Sequence, residues 1–293
     1  MSISKKTPKY TDHNGYLMPF GFPAENFSSS LDYNPQSDDL FIATYPKCGT
    51  TLTQHMIYLL LNDGVPIQKD EKLDQLFPHL EEVGAEYVQT KATRKSNNRL
   101  IKTHLPSNMV KHNPESKYIF VARNPKDCVV SFFHHTRGFP QHYDFDDGDF
   151  DVYFDLFVKG MVDFGNYFEM TKSWFDRRND SNVLFLTYEE INKDKRAAVL
   201  RIASFIQDGL VEKVMKNNGE LLTKILLHSS VESMKKDPLR WCSERKAKYT
   251  PFIRKGDVGA WNELVTEEQC EILDKKMREY FTLEEIQEFG DKY

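Results

Sequence analysis

Four short apolar runs, each stopped by polar residues and followed by a turn or a helix, constrain this chain more than any other feature. They are Asp39 to Tyr45, Arg99 to Thr103, Lys117 to Arg123 and Asn182 to Thr187. Short apolar runs bounded by turn residues read as strands of a buried sheet. The first leads into the turn Pro46-Lys47-Cys48-Gly49 and then Thr50 to Asn62, which reads as a helix with Thr50 and Thr51 near its N-cap. Asn124-Pro125 and a helix from Lys126 to about His135 follow the third run, and another helix follows the fourth. Strands alternating with helices predict an α/β fold: a central, mostly parallel sheet flanked by helices. No linker interrupts residues 1–293, so a single domain is expected.

In such sheets ligands bind beyond the carboxyl ends of the strands. Lys47, His104, Arg123 and Tyr188 each stand at or just past such an end. The segment Tyr45-Pro46-Lys47-Cys48-Gly49-Thr50-Thr51 is no Walker A loop, because its lysine precedes its glycine. It still combines a flexible turn, a helix start, two hydroxyls and a cation, which suit phosphate or sulfate. Arg123 can fork onto a phosphate, with the Ser131 hydroxyl along the next helix to join it. Arg254-Lys255-Gly256 sets two cations beside a flexible residue. Each motif alone also reads as an ordinary turn, a helix cap or a solvated loop, so the weight lies in their combination. Lys102 and His104 fall on one face of a strand, because side chains alternate. A cation and an imidazole pointing the same way suit attack by a hydroxyl on a charged electrophile. The other histidines are read as structural.

The formal net charge is −5, which argues against a protein that coats nucleic acid. Cys48, Cys128, Cys242 and Cys270 stand singly, as expected of reduced thiols in a reducing compartment. Met1 to Asn14 lacks an apolar signal core, and no apolar run reaches membrane-spanning length. The expectation is a soluble, cytoplasmic protein. Gly138 to Asp149 and Trp241 to Gly259 read as mobile loops that could serve as lids.

TYPKCGTT (Thr44 to Thr51), KTHLP (Lys102 to Pro106), FVARNPKD (Phe120 to Asp127), FLTYEE (Phe185 to Glu190), HSSVESMKKDP (His228 to Pro238) and FIRKGDVGAW (Phe252 to Trp261) occur in one order. Together they resemble the cytosolic sulfotransferase family. The resemblance implies a P-loop-like core and a 3′-phosphoadenosine 5′-phosphosulfate donor, with adenosine 3′,5′-bisphosphate as product and no metal. It implies that Lys47, Cys48, Gly49, Thr50 and Thr51 hold the 5′-phosphate, with Lys47 stabilising the leaving group. Arg123, Ser131, Arg254, Lys255 and Gly256 would hold the 3′-phosphate. Tyr188, Leu52, Ser229, Ser230, Val231 and Met234 would border the adenine. His104 would be the general base and Lys102 would steady the sulfuryl oxygens. Ser131 would also hold the Lys47 side chain until donor binds.

The sequence departs from the family pattern in places. Leu52 and Val231 stand where aromatic residues commonly cover the adenine, and Cys48 replaces a frequent serine. The family's dimer motif is partly kept, with Asn262, Thr266, Glu267 and Glu271 at its places, so either a monomer or a dimer is expected. Phe20, Phe22, Phe77, Phe139 and Tyr143 are candidates for the acceptor pocket, which favours a small phenol or other hydrophobic alcohol. The acidic run at Asp144, Asp146, Asp147 and Asp149 could draw a catecholamine. Competing readings are a P-loop-type small-molecule kinase and a non-catalytic nucleotide-binding protein. A Golgi-type carbohydrate enzyme would carry a membrane anchor.

Overall fold

The strand β3 (Asp39–Thr44) is buried along its whole length, and its side chains divide between two cores. Leu40 and Ile42 enter one apolar cluster and Phe41 and Ala43 the other, as strand alternation dictates. Both faces of the sheet are thus covered, the condition for a parallel sheet. The computed structural model describes residues 5–68, 71–242, 245 and 248–290.

Before β3, the strands β1 (Tyr10–His13) and β2 (Tyr16–Pro19) form an antiparallel hairpin. After it come β4 (Arg94–Lys95), β5 (Asn98–Thr103), β6 (Lys117–Ala122) and β7 (Val183–Thr187). Among the described residues the main sheet runs β4-β5-β3-β6-β7. All its pairs are parallel except the short edge pair β4–β5. The four expected strands are therefore present, joined in parallel as the strand–helix alternation implied.

Register explains why the strand ends matter. Ala43 pairs with Thr103, Thr44 with Val121, and Ala122 with Thr187. The residues just beyond these pairs, from Tyr45 onward, His104, Arg123 and Tyr188, must then lie along one rim. Helix Thr50–Leu61 leaves that rim into the cluster around Ile42, and helix Pro125–Arg137 into the cluster around Phe41. Each fully buried aliphatic or aromatic side chain in these clusters contributes roughly 1.5–3 kcal/mol relative to exposure. The rim is held by packing on both sides.

The first of the two expected loops packs against the body of the fold. Pro140–Tyr143 forms one helical turn, and Phe139, Tyr143 and Phe145 are buried. The acidic run is neutralised from the N-terminus: Lys6 approaches Asp144 and Asp147 (3.3 and 2.7 Å), Lys9 approaches Asp144 (2.7 Å), and Lys5 approaches Asp149 (3.6 Å). Of Trp241 to Gly259, residues 243, 244, 246 and 247 lie outside the described residues. The rest of that segment crosses the rim. Thr266 and Gln269 close a capping box on helix Glu267–Tyr280, so Thr266 of the dimer motif is engaged as a helix cap.

Candidate functional site

Lys47 is a non-glycine residue at φ 69°, and Gly49 follows at φ 98° as the N-cap of helix Thr50–Leu61. The two left-handed residues turn the chain sharply off β3 and point the helix's first turn back over the sheet. No side chain caps that turn, and Thr50 and Thr51 face a cavity of about 310 Å³. Gly49 is required by contact as well as by conformation. A Cβ there would stand 2.7 Å from the Tyr188 ring. Gly49→Ala is expected to cost about 2 kcal/mol against urea unfolding; an unchanged urea midpoint would show that the ring moves aside freely.

The cavity gathers cations. Lys47, Arg123, Arg254 and Lys255 line it together with Gly49, Ser131, Tyr188 and Gly256. The Arg123 guanidinium donates to the carbonyls of Lys47 and Asp257 (3.2 Å each) and lies 4.4 Å from the Tyr188 ring centre. Its Nε is buried without a partner. Tyr188 donates to the Gly256 carbonyl (2.8 Å), tying the β7 end to the C-terminal segment. Gly256, at φ 78°, lies against Val231, where a Cβ would come within 2.5 Å. Lys255 pairs with Glu263, and Arg254 lies 4.0 Å from the same carboxylate.

Burial lowers Lys47 to about 7, and the nearby charges of Arg245, Arg123 and Lys102 add to the effect while Cys242 opposes it. The ammonium rests 4.3 Å above the Phe252 ring. Ser131, which the resemblance implies as a partner of this side chain, lines the same cavity.

The cavity wall is also aromatic. Phe22, Phe132, Phe139, Tyr143 and Phe164 belong to it. Tyr143 donates its hydroxyl to the buried Asp163 (2.6 Å). Burial pushes Asp163 up to about 7.

His104 lines the same cavity, its ring centre 4.9 Å from that of Phe164, with Lys102 also on the wall. Its Nδ1 lies 2.6 Å from the Thr44 carbonyl. A carbonyl only accepts, so Nδ1 carries the proton and Nε2 keeps a lone pair. Its backbone N–H donates to the fully buried Glu81 (2.5 Å). Burial, reinforced by Lys102 and His79, holds His104 well below the ordinary imidazole range. Burial also lowers Lys102.

Leu52, Val231 and Met234 line the cavity beside Gln54 and Trp241. Five expected residues do not line it. Cys48 is buried under the loop, 3.7 Å from the Cys128 sulfur, and burial pushes its thiol up, which keeps it protonated and unreactive. Ser229 is fully buried and its carbonyl accepts from Lys195 (3.0 Å). Ser230 caps helix Val231–Lys235 through the Ser233 N–H (3.1 Å). Phe77 lies wholly inside the apolar cluster around Ile42, and Phe20 is 57% exposed on the outer surface. Both aromatics come from connecting segments whose side-chain direction depends on tertiary packing.

The residues missed include His79, Asp74, Glu82, Phe132, His135, Phe164, Trp241 and Phe252, all on the cavity wall. Phe252 and Trp241 lie in or beside motifs already noted; the histidines carried no local signal that set them apart. Among the described residues no group of His, Cys, Asp and Glu is placed to hold a metal ion, and no helix is long and apolar enough to cross a membrane.

Comparison with known proteins adds the following. Residues 37–290 match the family model for a sulfotransferase domain. Sulfotransferase 1C2 of Oryctolagus cuniculus is 31% identical over 266 residues, covering 87% of this chain and 86% of that protein. Sulfotransferase 1E1 of Bos taurus is 32% identical over 283 residues, covering 88% and 90%. The crystal structure of mouse sulfotransferase SULT7A1 complexed with PAP superposes with a TM-score of 0.73 at 26% identity, covering 95% of this chain and 96% of that one. Retinol dehydratase, solved with androsterone and inactive cofactor PAP, shares the fold with a TM-score of 0.75 at 21% identity, over 93% and 89%.

Proposed function

The chain belongs to the sulfotransferase family, and from that premise we propose that it moves a sulfuryl group from 3′-phosphoadenosine 5′-phosphosulfate to the hydroxyl of a small phenolic acceptor. One observation carries the reading: a single cavity is lined by Lys47, Arg123, Arg254 and Lys255, by aromatic rings, and by His104.

The residues fit the donor on their own chemistry. Lys47 and the uncapped first turn of helix Thr50–Leu61 suit a 5′-phosphate. Arg123, a cation on the cavity wall, suits a second phosphate, aided by Ser131 and Arg254-Lys255-Gly256. The tight approaches at Gly49 and Gly256 keep side chains out of this cradle. Leu52, Tyr188, Val231, Met234 and Trp241 provide an apolar wall for the base.

When bound, the donor supplies an electrophilic sulfur on a phosphosulfate anhydride. His104 Nε2 accepts the acceptor hydroxyl's proton as the oxygen attacks. Lys47 and the helix amides neutralise the charge that develops on the departing phosphate, where a preorganised donor accelerates most. Lys102 meets the sulfuryl oxygens. Phe22, Phe139 and Phe164 favour a flat aromatic acceptor. A catecholamine's ammonium would meet Asp74 and Glu82 on the wall rather than the aspartate run, which the N-terminal lysines already neutralise. The working location proposed is the cytoplasm.

The test is an acceptor screen with sulfur-labelled donor, in the presence of a metal chelator. The expected result is label transfer to simple phenols, weaker to aliphatic alcohols, and stoichiometric adenosine 3′,5′-bisphosphate. Tight binding of that nucleotide with no transfer to any acceptor would favour a non-catalytic binding protein.

A further inference from the structure

We infer that His79 carries the proton from His104 to solvent, with Glu81 and Glu82 as its carboxylate partners. The inference rests on His104 being the base that accepts the acceptor's proton.

His79 sits at the N-cap of helix Leu80–Lys91, outside every strand. A parallel bridge to Lys102, with the Lys102 N–H donating to the Pro78 carbonyl (3.0 Å), brings it against the end of β5. Its ring centre is 4.9 Å from that of His104, at 77°. The two rings are in edge-to-face contact at that separation. The ring is buried and held by Phe22 (5.5 Å) and Phe164 (5.6 Å).

Both ring nitrogens have a carboxylate nearby, and Nε2 makes no hydrogen bond among the described residues. Nε2 lies 3.5 Å from Glu81 and Nδ1 lies 3.6 Å from Glu82. Glu81 is fully buried; one oxygen accepts the His104 backbone N–H, and the other has no partner. It thus stands between the His104 backbone and the His79 ring. Glu82 is half exposed at its side chain and reaches solvent. Burial pushes Glu82 up, but His79, Lys102 and His142 together hold it below the usual carboxylate range.

His104 needs such an exit. Its Nδ1 is committed to Thr44, so the proton arrives and departs at Nε2, inside a cavity that both substrates fill. Burial and Lys102 make its imidazolium a high-energy species that must be discharged before the next turnover. The charged and titratable groups around His79 are Glu81, Glu82, Lys102, His104, Asp74 and His142. In the step proposed, the N–H bond on His104 Nε2 breaks and its electron pair stays on that ring. His79 gains the proton at one ring nitrogen and releases one through Glu82 to water. One proton leaves per ester formed, and no electron moves.

The test compares His79→Phe, His79→Gln and His79→Gly, with and without added imidazole, against His104→Ala. The expected result is a kcat about tenfold lower in all three His79 variants, with the KM for donor within about twofold of wild type. The high-pH limb of the kcat profile should also change. Free imidazole should restore most of the His79→Gly rate in a saturable way. An unaltered kcat and pH profile in His79→Phe, while His104→Ala is inactive, would overturn the relay and leave the base assignment standing. A loss in folded, nucleotide-binding His79→Gly that imidazole does not restore would reduce His79 to packing and equally overturn it. Full activity in His104→Ala would instead remove the reading on which the relay rests.

Discussion

Replacing His104 with alanine is expected to lower kcat about a thousandfold while adenosine 3′,5′-bisphosphate binding stays within about twofold of wild type. The magnitude is that of losing a positioned general base. The separation of the two effects follows from the geometry. His104 is anchored by Thr44 and Glu81 on the cavity wall, whereas the cations proposed for the nucleotide phosphates come from Lys47, Arg123 and the Arg254-Lys255-Gly256 segment. Removing the ring therefore empties the acceptor's proton-accepting position without touching those cations. Glutamine at the same site should be as inactive as alanine, since an amide is no base near neutral pH. Labelled-sulfate transfer and calorimetric nucleotide binding measure the two quantities. A rate loss under tenfold would exclude His104 as the base.

The second large effect concerns Lys47. Lys47→Met keeps most of the side chain's apolar contact with Phe252 and removes only the charge. A fall in kcat of about a hundredfold or more is expected, alike for every acceptor, because the lost interaction belongs to the leaving group. A fall that varied widely with the acceptor would place Lys47 elsewhere in the mechanism.

The same residue predicts a proton uptake. Burial first, and neighbouring cations second, lower Lys47 to about 7 in the free protein. At pH 8 most of this lysine is therefore neutral before the nucleotide arrives. Phosphate oxygens favour the ammonium and raise its proton affinity, so binding at pH 8 takes up close to one proton. At pH 6 the lysine is already charged and its uptake disappears. Calorimetry in buffers of differing ionisation enthalpy reads this directly, and Lys47→Met should abolish the pH 8 component. Equal uptake in wild type and variant would assign the proton to another group.

The local pattern of the chain determined a good deal. Buried runs and the turns after them place β3, β5, β6 and β7 and the helices after β3 and β6 to within a residue or two. Parallel register then requires Lys47, His104, Arg123 and Tyr188 to share a rim, because each is defined by its distance from a strand end. Those features are legible because they depend on neighbours along the chain: side-chain alternation, glycine at positive φ, proline at a helix start.

Tertiary packing decided the rest. Phe77 and Phe22 are equally apolar and both lie in connecting segments, yet one fills a core and the other faces the cavity. The aspartate run finds its counter-ions in lysines more than a hundred residues away in sequence, which no local pattern announces. Lys47 rests on Phe252 because the C-terminal segment folds back across the rim. His79 meets His104 only through a bridge to the end of β5. Backbone periodicity is a property of adjacent residues and can be read from them. The direction a loop side chain takes is set by whichever distant surface offers it burial or charge, and only the assembled fold supplies that surface.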